Sequence, residues 1–147
     1  MLKLVIFDID GTLTPQRSSS TADEAVVPLP GRRERLAALT ADGVVIAVAS
    51  NQGGVRPGRP GGRMTWGTVL RRMRQLRRIF PEISAVKFAV VTGPRKKPEP
   101  GMLVELMREF GVTPDETLFV GDAESDREAA KRAECHFAWA EEFFRGS

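Results

Sequence analysis

Leu4-Val5-Ile6-Phe7-Asp8-Ile9-Asp10-Gly11-Thr12 is the stretch on which the fold turns. Four apolar residues run without a polar break and stop at a carboxylate. A continuous run of this kind, rich in β-branched and aromatic residues, reads as a strand buried on both faces. Three further runs share its character, at residues 44–48, 86–91 and 117–120, and a shorter fifth strand is expected at 136–138.

Helical spacing fills the intervals. Residues 30–42 carry Leu36 and Leu39 inward and stop at Gly43, a residue suited to the position after a helix end. Residues 64–80 place Trp66, Val69, Leu70, Met73, Leu76 and Phe80 on one face. Leu103, Leu106, Met107 and Phe110 repeat at three and four residues, with Gly111 as the stop. Residues 124–133 form the last long helix, and 141–144 add a terminal turn.

Strand alternating with helix predicts an α/β domain with a mostly parallel sheet. One domain over residues 1–145 is expected, with Gly146 and Ser147 outside it. Right-handed crossovers bring the loops that follow each strand to one sheet edge, where open α/β sheets bind ligands. Two segments lack periodicity. Residues 14–29 are polar, and residues 52–63 are rich in Gly, Pro and Arg.

Bulk properties narrow the class. The chain has 147 residues and 41% hydrophobic content, enough to bury a core. Its single cysteine, Cys135, excludes an internal disulfide and a thiol zinc cluster, which fits a reducing cytoplasm. The apolar run before Asp8 is too short for a signal peptide or a membrane span. The net charge is +3, and eight arginines crowd between Arg56 and Arg78, so an anionic partner is expected.

The residues after the strands carry the chemistry. Asp8 and Asp10 follow the first, Ser50 and Asn51 the second, Lys96 and Lys97 the third, Asp122 and Asp126 the fourth. Clustered carboxylates without His or Cys suit Mg²⁺. A cation also lets several carboxylates approach an anionic phosphate. Lys97 and the Ser50 hydroxyl are placed to engage phosphoryl oxygens. A carboxylate can attack phosphorus, and its neighbour can move the proton of the leaving oxygen.

With Asp8-Ile9-Asp10-Gly11-Thr12, Ser50, Lys97-Pro98 and Gly121-Asp122 through Asp126 in this order, the sequence resembles the haloacid dehalogenase superfamily. That resemblance implies a Rossmann-like three-layer domain and a Mg²⁺-dependent phosphatase working through an aspartyl-phosphate. It implies Asp8 as nucleophile and metal ligand, and Asp10 as acid/base with its backbone carbonyl on the metal. Asp122 would ligate the metal directly, and Asp126 directly or through water. Ser50, the Asn51 backbone and Lys97 would hold the phosphate.

Ser50-Asn51-Gln52-Gly53-Gly54 and Lys97-Pro98-Glu99-Pro100-Gly101-Met102 resemble the subgroup of histidinol, heptose bisphosphate and polynucleotide 3′-phosphatases, which lack a large cap. Many of the first two carry a Cys/His zinc loop before the lysine motif. Residues 91–95 here hold neither residue type. With the arginines, this departure favours a nucleic-acid 3′-phosphate end, with Arg56, Arg59 and Arg63 as candidate substrate-binding residues. A small sugar or amino-alcohol phosphate is the alternative, and a non-catalytic phosphate-binding module the second.

Plainer readings exist for several residues. Ser50-Asn51 can cap a helix, and Asp126 can be a first-turn carboxylate favoured by the helix dipole. Arg71, Arg74 and Arg78 fit a solvated helix face. His136 reads as a packed strand residue, and Cys135 as a buried thiol.

Overall fold

The computed structural model describes residues 1–16, 26–52, 66–90 and 92–146. Its five strands are β1 (Leu4–Phe7), β2 (Val45–Asn51), β3 (Ile83–Ala89), β4 (Thr117–Gly121) and β5 (His136–Trp139). The helices are α1 (Arg32–Ala41), α2 (Trp66–Ile79), α3 (Gly101–Phe110), α4 (Glu124–Ala133) and α5 (Ala140–Phe143). The strands form one sheet in the order β3-β2-β1-β4-β5, every pair parallel.

β1 lies at the centre, and its four residues alternate between two cores. Val5 and Phe7 pack with Leu36, Val69, Met73 and Leu76 on the side of α1 and α2. Leu4 and Ile6 pack with Met102, Leu103, Leu106 and Ala129 on the side of α3 and α4. Both faces of the central strand are therefore dry, which is why its sequence shows no polar alternation. Each fully buried aliphatic or aromatic side chain contributes about 1.5–3 kcal/mol relative to exposure.

The expected alternation and all five strands are present, with two differences in detail. β3 starts earlier than residue 86 and, with a single neighbour, is an edge strand. Ser84 and Lys87 in it are not buried, so the continuous run at its end overstated its burial. β2 runs on to Asn51, which places Ser50 and Asn51 inside the strand end rather than beyond it.

α2 also differs from its expected phase. Val69, Arg72, Met73 and Leu76 are buried, whereas Trp66 and Leu70 are nearly half exposed. The buried stripe includes a charged residue, and counting only apolar residues turned the helix away from its true inner face. Arg71, Arg74 and Arg78 are exposed, as a solvated face requires. His136 is exposed rather than packed, its ring 3.1 Å from the Asp115 carbonyl oxygen.

α3 ends at Gly111, whose φ of 63° completes the last turn in the left-handed region. Residues 8–31, between β1 and α1, and residues 52–65, between β2 and α2, are too short to hold a separate cap domain. No helix among the described residues is long and apolar enough to cross a membrane.

Candidate active site

The end of β1 turns sharply. The Ile9 carbonyl accepts the N–H groups of Thr12, Leu13 and Thr14 at 3.1, 2.9 and 3.1 Å, and Gly11 N–H donates to the Thr14 carbonyl at 2.7 Å. This turn aims Asp8 and Asp10 over the carboxyl edge of the sheet. Gly11 has a φ of +82°, and a side chain there would run into the Asp122 carboxylate. Only glycine meets both conditions.

Asp8, Asp122 and Asp126 each bring a carboxylate oxygen within 4.8 Å of the others. β1 supplies the first, and the β4–α4 junction supplies the other two. Asp126 Oδ2 accepts the backbone N–H groups of Asp122 and Ala123 at 3.1 Å each, so the same carboxylate caps the start of α4. Gln16, which no sequence pattern singled out, donates its side-chain amide to Asp122.

Lys97 lies among these carboxylates. Its ammonium donates to Asp8 Oδ1 at 2.9 Å, to Asp126 Oδ1 at 2.6 Å and to the Ala49 carbonyl at 3.0 Å. Burial would lower its pKa, but Asp8 and Asp126 outweigh burial and raise it, so the charge is held. Asn51 fixes the lysine from below. Its side-chain amide donates to the Lys97 carbonyl at 2.9 Å and accepts the Lys97 N–H at 3.0 Å. Asn51 thus acts here through its side chain, a role its position in the motif did not reveal.

The carboxylates carry the opposite burden. Burial is the largest influence on Asp8 and raises its carboxyl, with Lys97 opposing and Asp122 adding repulsion. Burial likewise raises Asp122 and Asp126. Three carboxylates this close, pushed toward the neutral form, are a ready site for a divalent cation bound by hard oxygen donors.

A cleft of about 240 Å³ opens here, lined by Asp8, Asp10, Asn51, Lys97, Asp122 and Asp126 among others. Ser50, next to Asn51 at the end of β2, is 1% exposed and does not line the cleft, its hydroxyl accepting from the Gln52 side chain at 2.8 Å. Asp10 is not in the three-carboxylate group, and its Oδ1 is 3.1 Å from the Arg72 guanidinium instead. Arg72 was missed in the sequence, although its place between Val69 and Leu76 on the inner stripe of α2 was the available signal. Arg56, Arg59 and Arg63 lie outside the described residues.

Known proteins share this arrangement of elements. A family model described as haloacid dehalogenase-like hydrolase matches residues 17–134. A D-glycero-beta-D-manno-heptose-1,7-bisphosphate 7-phosphatase of Pseudomonas aeruginosa is 32% identical over 143 residues, spanning 90% of this chain and 77% of its own. A phosphoglycolate phosphatase of Pseudomonas putida is 35% identical over 132 residues, 86% of this chain but 43% of its own. The crystal structure of a D,D-heptose 1,7-bisphosphate phosphatase from B. bronchiseptica, complexed with magnesium and phosphate, superposes with a TM-score of 0.78 at 25% identity, covering 92% of this chain and 79% of that one.

Proposed function

Because this chain belongs to the haloacid dehalogenase-like hydrolases and is a phosphatase, we propose that it hydrolyses the phosphomonoester of a small phosphorylated sugar, with Asp8 as nucleophile and Mg²⁺ as cofactor. The observation that carries this reading is the meeting of three carboxylates with the Lys97 ammonium in one cleft.

Lys97 engages one oxygen of Asp8 and leaves the other for in-line attack on phosphorus. The new Asp8–phosphorus bond replaces the bond to the sugar oxygen, and Asp10 supplies the proton that the departing oxygen takes. Water then attacks the aspartyl-phosphate, Asp10 takes its proton, phosphate leaves and the Asp8 carboxylate is restored. Lys97, with Ser50 and Asn51 beneath it, stabilises the phosphoryl oxygens. Asp8, Asp122 and Asp126, with the Asp10 carbonyl, would hold Mg²⁺, which would neutralise charge on the phosphoryl group in flight.

Two of the proteins compared above are named for a sugar bisphosphate, and none of those compared above is named for a nucleic-acid end. The small-molecule alternative therefore takes the lead over the 3′-phosphate end that the arginines favoured. The test is a substrate panel with and without EDTA. It should include heptose 1,7-bisphosphate, other sugar phosphates, phosphoglycolate and an oligonucleotide with a 3′-phosphate. A sugar phosphate should give the highest kcat/KM, and EDTA should abolish turnover. Faster release from the oligonucleotide than from every sugar phosphate would return the nucleic-acid reading. No hydrolysis of any phosphate would favour the non-catalytic module.

A further inference from the structure

The turn after β1 fixes the backbone of Asp10, through the hydrogen bonds on the Ile9 carbonyl and the bridge between Asp10 and Thr14. It does not fix the carboxylate. The last torsion of an aspartate is broad and two-fold, so its two oxygens exchange places at little cost. An acid/base must present one of them to the substrate throughout the cycle.

Arg72 supplies the missing constraint. It sits on the buried stripe of α2, its side chain 7% exposed, and donates to Asp10 Oδ1 at 3.1 Å. Among the described residues it is the only side-chain partner recorded for the Asp10 carboxylate. The Asp10 side chain keeps 22% exposure and lines the cleft beside Asp8, Lys97 and Asp122. One oxygen is thus held toward α2, while the other is left for the cleft.

The placement is costly for the fold. The Arg72 Nε is buried with no hydrogen-bond partner among the described residues. A guanidinium in an apolar layer needs its donors satisfied, and an apolar residue of similar size would pack there at least as well.

We propose that Arg72 is the positioning residue of Asp10: it anchors Oδ1 so that Oδ2 is the oxygen that gives a proton to the leaving group and later takes one from water. This rests on the reading of Asp10 as acid/base. Arg72 itself touches no reacting atom.

The test compares Arg72→Met and Arg72→Lys with Asp10→Asn and the double variant Asp10→Asn with Arg72→Met, all with Mg²⁺. Two substrates are used, an alkyl phosphate with a basic leaving oxygen and 4-nitrophenyl phosphate, whose leaving group needs little proton help. Arg72→Met should cut kcat for the alkyl phosphate roughly 100-fold and for the aryl phosphate less than about fivefold, with KM little changed. Arg72→Lys, which keeps one donor, should recover part of the loss. The double variant should be no worse than Asp10→Asn alone, because the arginine acts only through the aspartate.

Equal losses on both substrates, a change confined to KM, or additive losses in the double variant would each overturn the proposal. If Asp10→Asn itself shows no dependence on the leaving group, the acid/base reading fails, and this is seen in that variant without reference to Arg72. Should Arg72→Met not fold, Arg72→Gln is judged by the same two ratios.

Discussion

Lys97, from the segment between β3 and α3, and Asp126, in the first turn of α4, meet through an ammonium–carboxylate contact of 2.6 Å in which both side chains are almost wholly buried. The same ammonium reaches Asp8, so one cation stands between two carboxylates. Replacing Lys97 with Met would leave both without their counter-charge. Breaking a buried pair in this way costs on the order of 3–5 kcal/mol. Urea denaturation should show that loss in the metal-free protein, with turnover abolished. Wild-type stability in the variant would mean that the lysine is not part of the folded network.

Asp8→Asn should fold as the wild type does, since the amide keeps the shape of a side chain already pushed toward neutrality by burial. Turnover should fall by many orders of magnitude, because the amide is not a nucleophile. Single-turnover assays with phosphate detection measure this. Activity near wild type would remove Asp8 from its role.

Asp8, Asp122 and Asp126 all have carboxyls raised by burial. A group whose folded pKa lies above its unfolded value contributes stability that is complete below the unfolded value and is lost as pH rises through the folded one. The metal-free cluster should therefore weaken the fold progressively above about pH 4. Mg²⁺, if held by these three carboxylates as proposed, would reverse this by favouring the ionised forms. The rise in Tm produced by Mg²⁺ should be small near pH 4.5 and grow toward about pH 7.5. A Tm shift independent of pH would separate the metal from these carboxylates.

Glu116 shows the opposite sign. The Lys3 ammonium at 2.7 Å and the Thr113 N–H at 2.9 Å push its carboxyl down to about 2. Its contribution is present above the unfolded value and is lost as pH falls through the folded one. Glu116→Gln should lower Tm at neutral pH, and the gap to wild type should close as pH approaches about 2. Scans at both ends of this window decide it.

Gly11→Ala should cripple the enzyme from a distance of one methyl group. The φ of +82° strains any side chain, and the added carbon would displace the Asp122 carboxylate. Mg²⁺ titration should show weakened binding alongside reduced kcat. Unchanged metal affinity would show that the turn has room to shift.

Much of this architecture could be read from residue order. Four apolar runs ending in polar residues marked the strands, and the acidic residues after β1 and β4 converge in the cleft. What escaped depended on side chains breaking a rule. Arg72 is a charge on an inward stripe, so apolar counting placed Trp66 and Leu70 inside and left the arginine out. Asn51 works by gripping the backbone of a residue that no local pattern connects to it. Gln16 comes from a segment without periodicity. β3 and β5 carry apolar residues like the inner strands, and only their place at the margins of the sheet explains their partial exposure.

The central place of β1 bears on how the chain is made. Of the strands in this sheet β1 is synthesised before the rest, yet it is bordered by β2 and by β4, and β4 follows more than a hundred residues later. Until that partner is synthesised, one edge of a fully apolar strand has nothing to pair with. Nascent chains stalled before Thr117 should therefore engage holding chaperones and resist compact folding, and release should come abruptly once Gly121 has cleared the exit tunnel.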